Sequence, residues 1–206
     1  MQPQVISFGP CQIAFDHRVL EPRPWTVMQS AWAVELSPEA GPGSVLELCC
    51  GAGQIGLAAA VWSERSLVQV DLNPTACDFA RANATAAGIG DRVDVRCATI
   101  DESVRVNEAF PIILVDPPYL PSAMTPRFPN DPRASIDGGT DGLELARSCL
   151  PVINGAMAID GVTLLQLAGI QQFHKLESEL PDGLALEEVR EVDSERAVGL
   201  IRHRSG

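Results

Sequence analysis

Residues 116–119 read Asp-Pro-Pro-Tyr, and they close the apolar run Ile113-Leu114-Val115 with a carboxylate, two prolines and the only tyrosine of the chain. Adjacent prolines hold φ at a fixed value and donate no backbone hydrogen bond, so the run ends in a rigid corner without N–H groups. An anionic oxygen stands on one side of that corner and an aromatic ring on the other. Two further stretches carry residues of similar interest. Glu47 to Gly53 spells Glu-Leu-Cys-Cys-Gly-Ala-Gly, an acid placed just before a glycine-bearing turn, and Asp71 follows 18 residues beyond Gly53. Glycines between a strand and a helix let the backbone approach a ligand closely. An acid about 20 residues downstream of such a turn suits a ribose diol.

The glycine turn does not suit a dinucleotide. That fingerprint needs glycine at its first two marked positions, and this chain offers Cys49, Gly51, Gly53 and Gly56. No Gly-Lys-Ser/Thr follows, so a phosphate loop is not encoded either. Glu47 would repel a pyrophosphate and attract a ligand with a positive charge, an ammonium or a sulfonium. That chemistry points to S-adenosylmethionine.

The elements that must position these residues alternate in type. A helix is expected over Val27–Leu36, a buried strand over 44–48, and a helix starting near Gln54. Residues 67–71 form the next strand, and Asn73 with Pro74 then supplies an N-cap and a first helical position for a helix ending near Gly88. Strands at 92–97, 111–116 and 162–167 follow, with helices over 141–153 and 170–180. Two last strands, at 185–192 and 196–203, are close enough to pair as a hairpin. Residues 1–24, rich in proline, read as an irregular N-terminal segment of a single domain spanning 1–206. Alternating strands and helices imply an α/β, Rossmann-like, seven-stranded and mostly parallel sheet with helices on both faces. An antiparallel C-terminal hairpin strand is expected at its end. Ligands of such sheets bind at the carboxyl ends of the strands, where all three marked stretches fall.

Composition narrows the partners. A chain of 206 residues is long enough for one core. The formal net charge of −12 makes nucleic acid an unlikely partner, because phosphate binding needs a basic footprint. No stretch of 18 apolar residues and no basic-then-apolar leader occurs, so no membrane partner is expected and the location reads as cytoplasmic. Six cysteines without a CxxC pair read as reduced thiols, and three scattered histidines lack metal-ligand spacing, so no metal site is expected. The segment 120–136 with its prolines and Arg127 reads as a loop over the acceptor side.

Glu-Leu-Cys-Cys-Gly-Ala-Gly at 47–53, Val-Asp-Leu-Asn-Pro at 70–74 and Val-Asp-Pro-Pro-Tyr-Leu-Pro at 115–121 resemble, in order and spacing, the motifs of class I S-adenosylmethionine-dependent methyltransferases. Pro-Arg-Pro-Trp-Thr at 22–26, the segment 131–145 and the closing segment 193–202 are similar to the release-factor glutamine N5-methyltransferases of the HemK/PrmC type. The resemblance covers residues 15–204, nearly the whole chain. It implies S-adenosylmethionine as cofactor, held by Glu47, Cys49, Cys50, Gly51, Ala52, Gly53, Asp71, Leu72, Thr99 and Asp116. Glu47 would meet its methionine end, Asp71 its ribose and Leu72 its adenine.

It also implies a catalytic corner of Asp116, Pro117, Pro118 and Tyr119. A planar amide or amine nitrogen is a poor nucleophile, because its lone pair is delocalised. Asp116 and the carbonyl of Pro117 would each accept one N–H, aiming the lone pair at the sulfonium methyl. Those hydrogen bonds strengthen as nitrogen gains positive charge, while Tyr119 stacks on the planar group.

This chain departs from that pattern in four places. Cys49 replaces the first glycine of the turn, which must then tolerate a β-carbon, unless Cys49 takes an ordinary φ. Asp116 stands in place of Asn. Trp25 and Val27 flank Thr26 where acids are usual. Ala98 occupies a position that often carries an acid for the adenine amine, with Asp101 a weak substitute. Bacterial relatives also carry an N-terminal helical domain, whereas only about 20 residues precede the Pro-Arg-Pro segment here. Archaeal and eukaryotic relatives rely instead on a small activator subunit, so an activator subunit or a homodimer is expected. The first acceptor is a protein glutamine. A nucleic-acid or small-molecule amine, and a non-catalytic cofactor-binding or scaffold protein, are the alternatives.

Overall fold

The computed structural model describes residues 3–204. Seven strands form one sheet in the order β5-β4-β3-β6-β7-β9-β8. The central strands β3 (Val45–Leu48), β4 (Leu67–Asp71), β5 (Val93–Cys97), β6 (Phe110–Val115) and β7 (Met157–Leu167) pair in parallel. β3 and β6 are buried along their whole length, which explains why they read as unbroken apolar runs rather than alternating ones. Helices α1 (Val27–Leu36), α2 (Gln54–Ser63) and α3 (Pro74–Ala86) cover one face, packing Trp32, Leu57 and Ala76 onto Val45, Leu67 and Leu114. Helices α4 (Glu144–Ala156) and α5 (Ile170–Glu177) cover the other, packing Ile153 and Phe173 onto Leu46, Val70 and Leu165. Asn73 caps α3 as expected, its side chain accepting from the Thr75 amide at 3.0 Å.

Three expectations are corrected. The N-terminal segment, expected to be irregular over 1–24, holds a regular element among its described residues: β1 (Gln4–Phe8) and β2 (Cys11–Phe15) form an antiparallel hairpin, with Gly9 at φ +52° in its turn. In β2, Cys11, Ile13 and Phe15 point inward at every second position, the period of a half-buried strand. Asn83 of α3 anchors this hairpin, accepting from the Ala14 amide (2.8 Å) and donating to the Ala14 carbonyl (3.0 Å).

The closing hairpin does form, but its last strand is not at the edge. β9 (Arg196–His203) inserts antiparallel between β7 and β8 (Leu184–Asp193), and β8 becomes the edge. β9 carries the apolar residues Ala197, Val198, Leu200 and Ile201, all buried, whereas β8 is half charged and half-exposed, so burial selects β9 for the inner place.

Finally, α4 begins at Glu144 rather than 141, because the Asp141 carboxylate accepts from the Leu143 amide (3.1 Å) and from Arg147 (2.9 and 2.8 Å), which holds Asp141 in the preceding loop.

Candidate active site

The carboxyl ends of β4, β3 and β6 lie side by side in the sheet, and they carry Asp71, the turn after Leu48 and Asp116. The turn is built on positive φ angles: Cys49 at +61°, Gly51 at +53° and Gly53 at +87°. Cys49 therefore adopts the left-handed conformation of the glycine it replaces, and not an ordinary φ, a strain of about 1 kcal/mol for a residue with a β-carbon. Its thiol meets that of Cys149 on α4, and this contact together with burial holds the Cys49 pKa well above the usual thiol value.

Gly51 faces open space, with nothing within 4 Å of where a Cβ would sit, so a ligand can approach the backbone there. Its amide donates to Asp71 Oδ2 (2.8 Å), and the Asn73 amide donates to Asp71 Oδ1 (2.8 Å). Asp71 thus fixes the turn while keeping unused lone pairs. Burial pushes its pKa up, and the backbone donors pull it back down. Leu72, beside it, is 68% exposed, an apolar surface at the rim of the turn. The amide of Cys50 donates to the Val70 carbonyl (3.0 Å), and burial holds its thiol pKa well above the usual value. The Ala52 carbonyl accepts from Asn83 (2.9 Å), tying the turn to α3.

Glu47 sits beneath the turn. It is 2% exposed, accepts from Gln69 Nε2 (2.6 Å), and lies so close to Gly56 that a Cβ at that helix position would force its carboxylate to shift. The same Gln69 amide donates to the Gly53 carbonyl (2.9 Å). Burial raises the Glu47 pKa to about 8, against the pull of Gln69 and the Gly56 amide, while nearby Asp116 and Asp71 add to the rise. Gln69 and Asn83 were not recognised in the sequence. The signal for Gln69 is present as a polar residue in the middle of the apolar strand 67–71.

Asp116 leaves β6 partly buried, and burial pushes its carboxyl pKa up to about 7. Tyr119 is held well above the usual phenol value, mainly by burial and then by Asp116. The loop beyond is bound tightly to the corner: Leu120 donates to Ile136 (3.0 Å), Gly138 to Leu120 (2.8 Å) and Ser122 to Gly139 (2.7 Å). Arg23, from the Pro-Arg-Pro segment, reaches the same loop through Asp131 at 2.6 Å. Thr99 follows β5 and donates its hydroxyl to Glu102 (3.2 Å), and Ala98 packs partly buried against the α4–α5 side of the core.

Asp71, the turn and the Asp116 corner thus share one end of the sheet, whereas Thr99 is engaged locally. Three carboxylates close together, a glycine backbone facing open space and an exposed leucine fit a ligand that combines a positive charge, a ribose and an apolar ring. Among the described residues no cluster of His, Cys, Asp and Glu could hold a metal ion, and no helix is long and apolar enough to cross a membrane.

Fold and site together define a class I S-adenosylmethionine-dependent methyltransferase fold. The chain belongs to the family described as Conserved hypothetical protein 95, which matches residues 22–128. It is 30% identical over 168 residues to the release factor glutamine methyltransferase of Deinococcus radiodurans, a match covering 79% of this chain and 59% of that protein. It is also 30% identical over 142 residues to the ribosomal protein uL3 glutamine methyltransferase of Bordetella pertussis, covering 66% of this chain and 47% of the relative. The chain therefore spans about half the length of the curated relatives it matches. Among solved structures, a ribosomal protein L11 methylase from Lactobacillus delbrueckii subsp. bulgaricus superposes with a TM-score of 0.66 at 13% identity, over 91% of this chain and 82% of that one.

Proposed function

We propose that this chain is an S-adenosylmethionine-dependent N-methyltransferase for a planar amide or amine nitrogen. The first acceptor is the glutamine side chain of a protein, such as a peptide release factor or ribosomal protein uL3, the substrates named for two relatives. One observation carries this reading: an Asp-Pro-Pro-Tyr corner, stiffened by two prolines without N–H groups, ends β6 directly beside the glycine turn of β3.

When bound, the cofactor supplies an electrophilic methyl group on a sulfonium. Asp71 and Leu72 would hold its adenosine, with Asp71 still able to accept from ribose hydroxyls. The backbone of Cys49, Cys50, Gly51, Ala52 and Gly53 would hold its methionine end, and Thr99, after β5, would border its adenine. Glu47 acts from below, fixing the turn through Gln69 and Gly56, and a cation above it would favour loss of its proton, which burial otherwise retains up to a pKa of about 8. Asp116 and the Pro117 carbonyl accept the two N–H groups of the acceptor. Lone-pair donation then occurs in a fixed direction, which is chiefly a positioning effect. Pro118 keeps the corner stiff and Tyr119 covers the planar group. After transfer the nitrogen must lose a proton, and Asp116, with a pKa raised to about 7, is placed to accept it.

Residues 1–206 act on this reading as one methyltransferase domain, and an activator subunit or a second copy completes the grip on a protein acceptor. A cytoplasmic setting suits six cysteines that form no disulfide. Asp in place of Asn at 116 favours a second reading, transfer to a ring amine of a nucleic acid or small molecule.

The test begins with calorimetric titration of S-adenosylmethionine and of its demethylated product, beside Asp71→Ala. Labelled-methyl transfer follows, onto a release factor, ribosomal protein uL3, RNA and small amides. Micromolar cofactor binding that the variant loses, with label entering glutamine, supports the proposal. Label entering only nucleic acid or a small amine selects the second reading. No cofactor binding by a folded sample refutes both.

A further inference from the structure

A crossover between parallel strands is ordinarily made by a helix, yet residues 98–109 pass from β5 over β4 and β3 to β6 as turns and bends. A segment of that kind must be held from outside, and Arg96, near the end of β5, holds it. Its side chain is only 10% exposed. Nη1 donates to the Ser103 carbonyl (2.9 Å) and to Glu108 Oε2 (2.7 Å), Nη2 donates to Glu108 Oε1 (2.7 Å), and Nε donates to Asp94 Oδ2 (3.0 Å). One guanidinium thus grips the middle and the end of the segment from the strand where it begins. Its planar fork is a geometry that an ammonium does not reproduce. Glu108 in turn accepts from the Arg105 amide (2.8 Å), closing the turn at 105–108. Arg96 holds the Glu108 pKa down at about 2, so the pair stays ionised at any ordinary assay pH.

The start of the segment lies against the strand end that carries Asp71 and Leu72. The Ala98 amide donates to the Asp71 carbonyl (3.1 Å), and the Cys97 thiol donates to the Leu72 carbonyl (3.7 Å). Ser103 is buried, and its amide donates to the Ile100 carbonyl (3.2 Å), while the Glu102 amide donates to the Thr99 carbonyl (3.2 Å). The exposed Leu72 therefore has residues 98–100 on the neighbouring strand exit, and their place depends on the turn that Arg96 secures at Ser103.

We propose that Arg96 is a positioning residue for the adenine end of the cofactor: through Ser103 and Glu108 it sets the β5–β6 segment so that residues 98–100 border a ring resting on Leu72. The proposal rests on the reading that S-adenosylmethionine binds with its adenosine at Asp71 and Leu72. A border fixed before binding spares the ligand the cost of ordering it. Without the clamp, that cost falls on every ligand that carries the adenosine.

The test compares the full-length wild type with Arg96→Lys, which keeps the charge and loses the fork, and with Glu108→Gln, which breaks the pair from its more exposed end. Calorimetry measures binding of S-adenosylmethionine and of methylthioadenosine, which keeps the adenosine and lacks the amino-acid end. Hydrogen exchange follows the backbone, and circular dichroism confirms the fold. Both variants should weaken both ligands by the same factor of about tenfold, equivalent to one net hydrogen bond. Amides of 99–105 should exchange faster, while those of β3 and β4 keep their wild-type rates. Unchanged affinity in the folded variants would overturn the proposal, even with thermal stability reduced. A loss confined to S-adenosylmethionine would also overturn it, by placing the effect at the methionine end. A wild type that binds neither ligand would instead remove the cofactor reading itself, and the proposal with it.

Discussion

Replacing Asp116 by Asn tests how much stability the site gives up for its chemistry. Burial raises the Asp116 pKa from 3.8 to about 7. Between those two values the folded chain holds a proton that the unfolded chain has already lost. Folding is therefore favoured by protonation, and stability falls as pH rises from about 4 through about 7, levelling off above that. The full span of about 3 pKa units corresponds to at most about 4 kcal/mol at alkaline pH. At about pH 5.5 roughly half of that cost is already present. Asn carries no charge and removes the titration. The stability of Asp116→Asn relative to wild type should thus rise by about 2 kcal/mol between about pH 5.5 and 8.5, whatever its starting offset. Urea unfolding followed by Trp fluorescence across that range measures the difference directly. A difference that stays constant with pH, or one that shrinks as pH rises, would show that the Asp116 carboxyl is not held up by burial and would remove the argument for its proton-accepting role.

Methyl transfer should depend on the same group in the opposite sense. Asp116 accepts an N–H only when ionised, so the rate is expected to climb about tenfold from one pH unit below its pKa of about 7 to one unit above, and the pH–rate profile of Asp116→Asn should lose this limb. Asp71→Ala removes a carboxylate that accepts from the Gly51 and Asn73 amides, both at 2.8 Å. Cofactor affinity should fall by at least about tenfold in calorimetry, with about 2 kcal/mol of stability lost in the same sample. Gly56→Ala places a methyl group against the Glu47 carboxylate. Despite the better helix propensity of Ala, thermal unfolding should show a loss of about 1–3 kcal/mol, typical of overpacking.

Much of the sheet was legible because its central strands are buried on both faces and spell out branched apolar runs. Helix α1 was found at its observed limits, Val27–Leu36. What the sequence hid follows from physics that acts between distant residues. The prolines at 22 and 24 obscured a hairpin whose Cys11, Ile13 and Phe15 alternate inward onto the core, and which Asn83, some 70 residues away, ties down through the Ala14 backbone. The inner place of β9 depends on comparing its burial with that of β8, a competition that neither strand shows alone. In the site, the order Glu47, Gly51, Gly53, Asp71 and Asp116 was visible as spacing. The residues that hold those groups were not, since Gln69, Asn83 and Gln172 act through side-chain amides on backbone atoms 16 to 53 positions away.

The charge of the site ties these observations together. Glu47, Asp71 and Asp116 crowd the ends of three adjacent strands, all with pKa values raised by burial. Burial makes each of these ionisations costlier, and for Glu47 the neighbouring Asp116 and Asp71 carboxylates add to the cost. A ligand carrying a sulfonium and an ammonium relieves that repulsion, and binding to the folded state alone raises stability by mass action. An anionic pyrophosphate would worsen it. The same three acids that make the site costly therefore select the class of ligand. Cofactor at about one hundred times its dissociation constant should stabilise the chain by roughly 2.7 kcal/mol. That gain should exceed the gain from the demethylated product at equal concentration, because the product has lost the sulfonium charge that the acids attract.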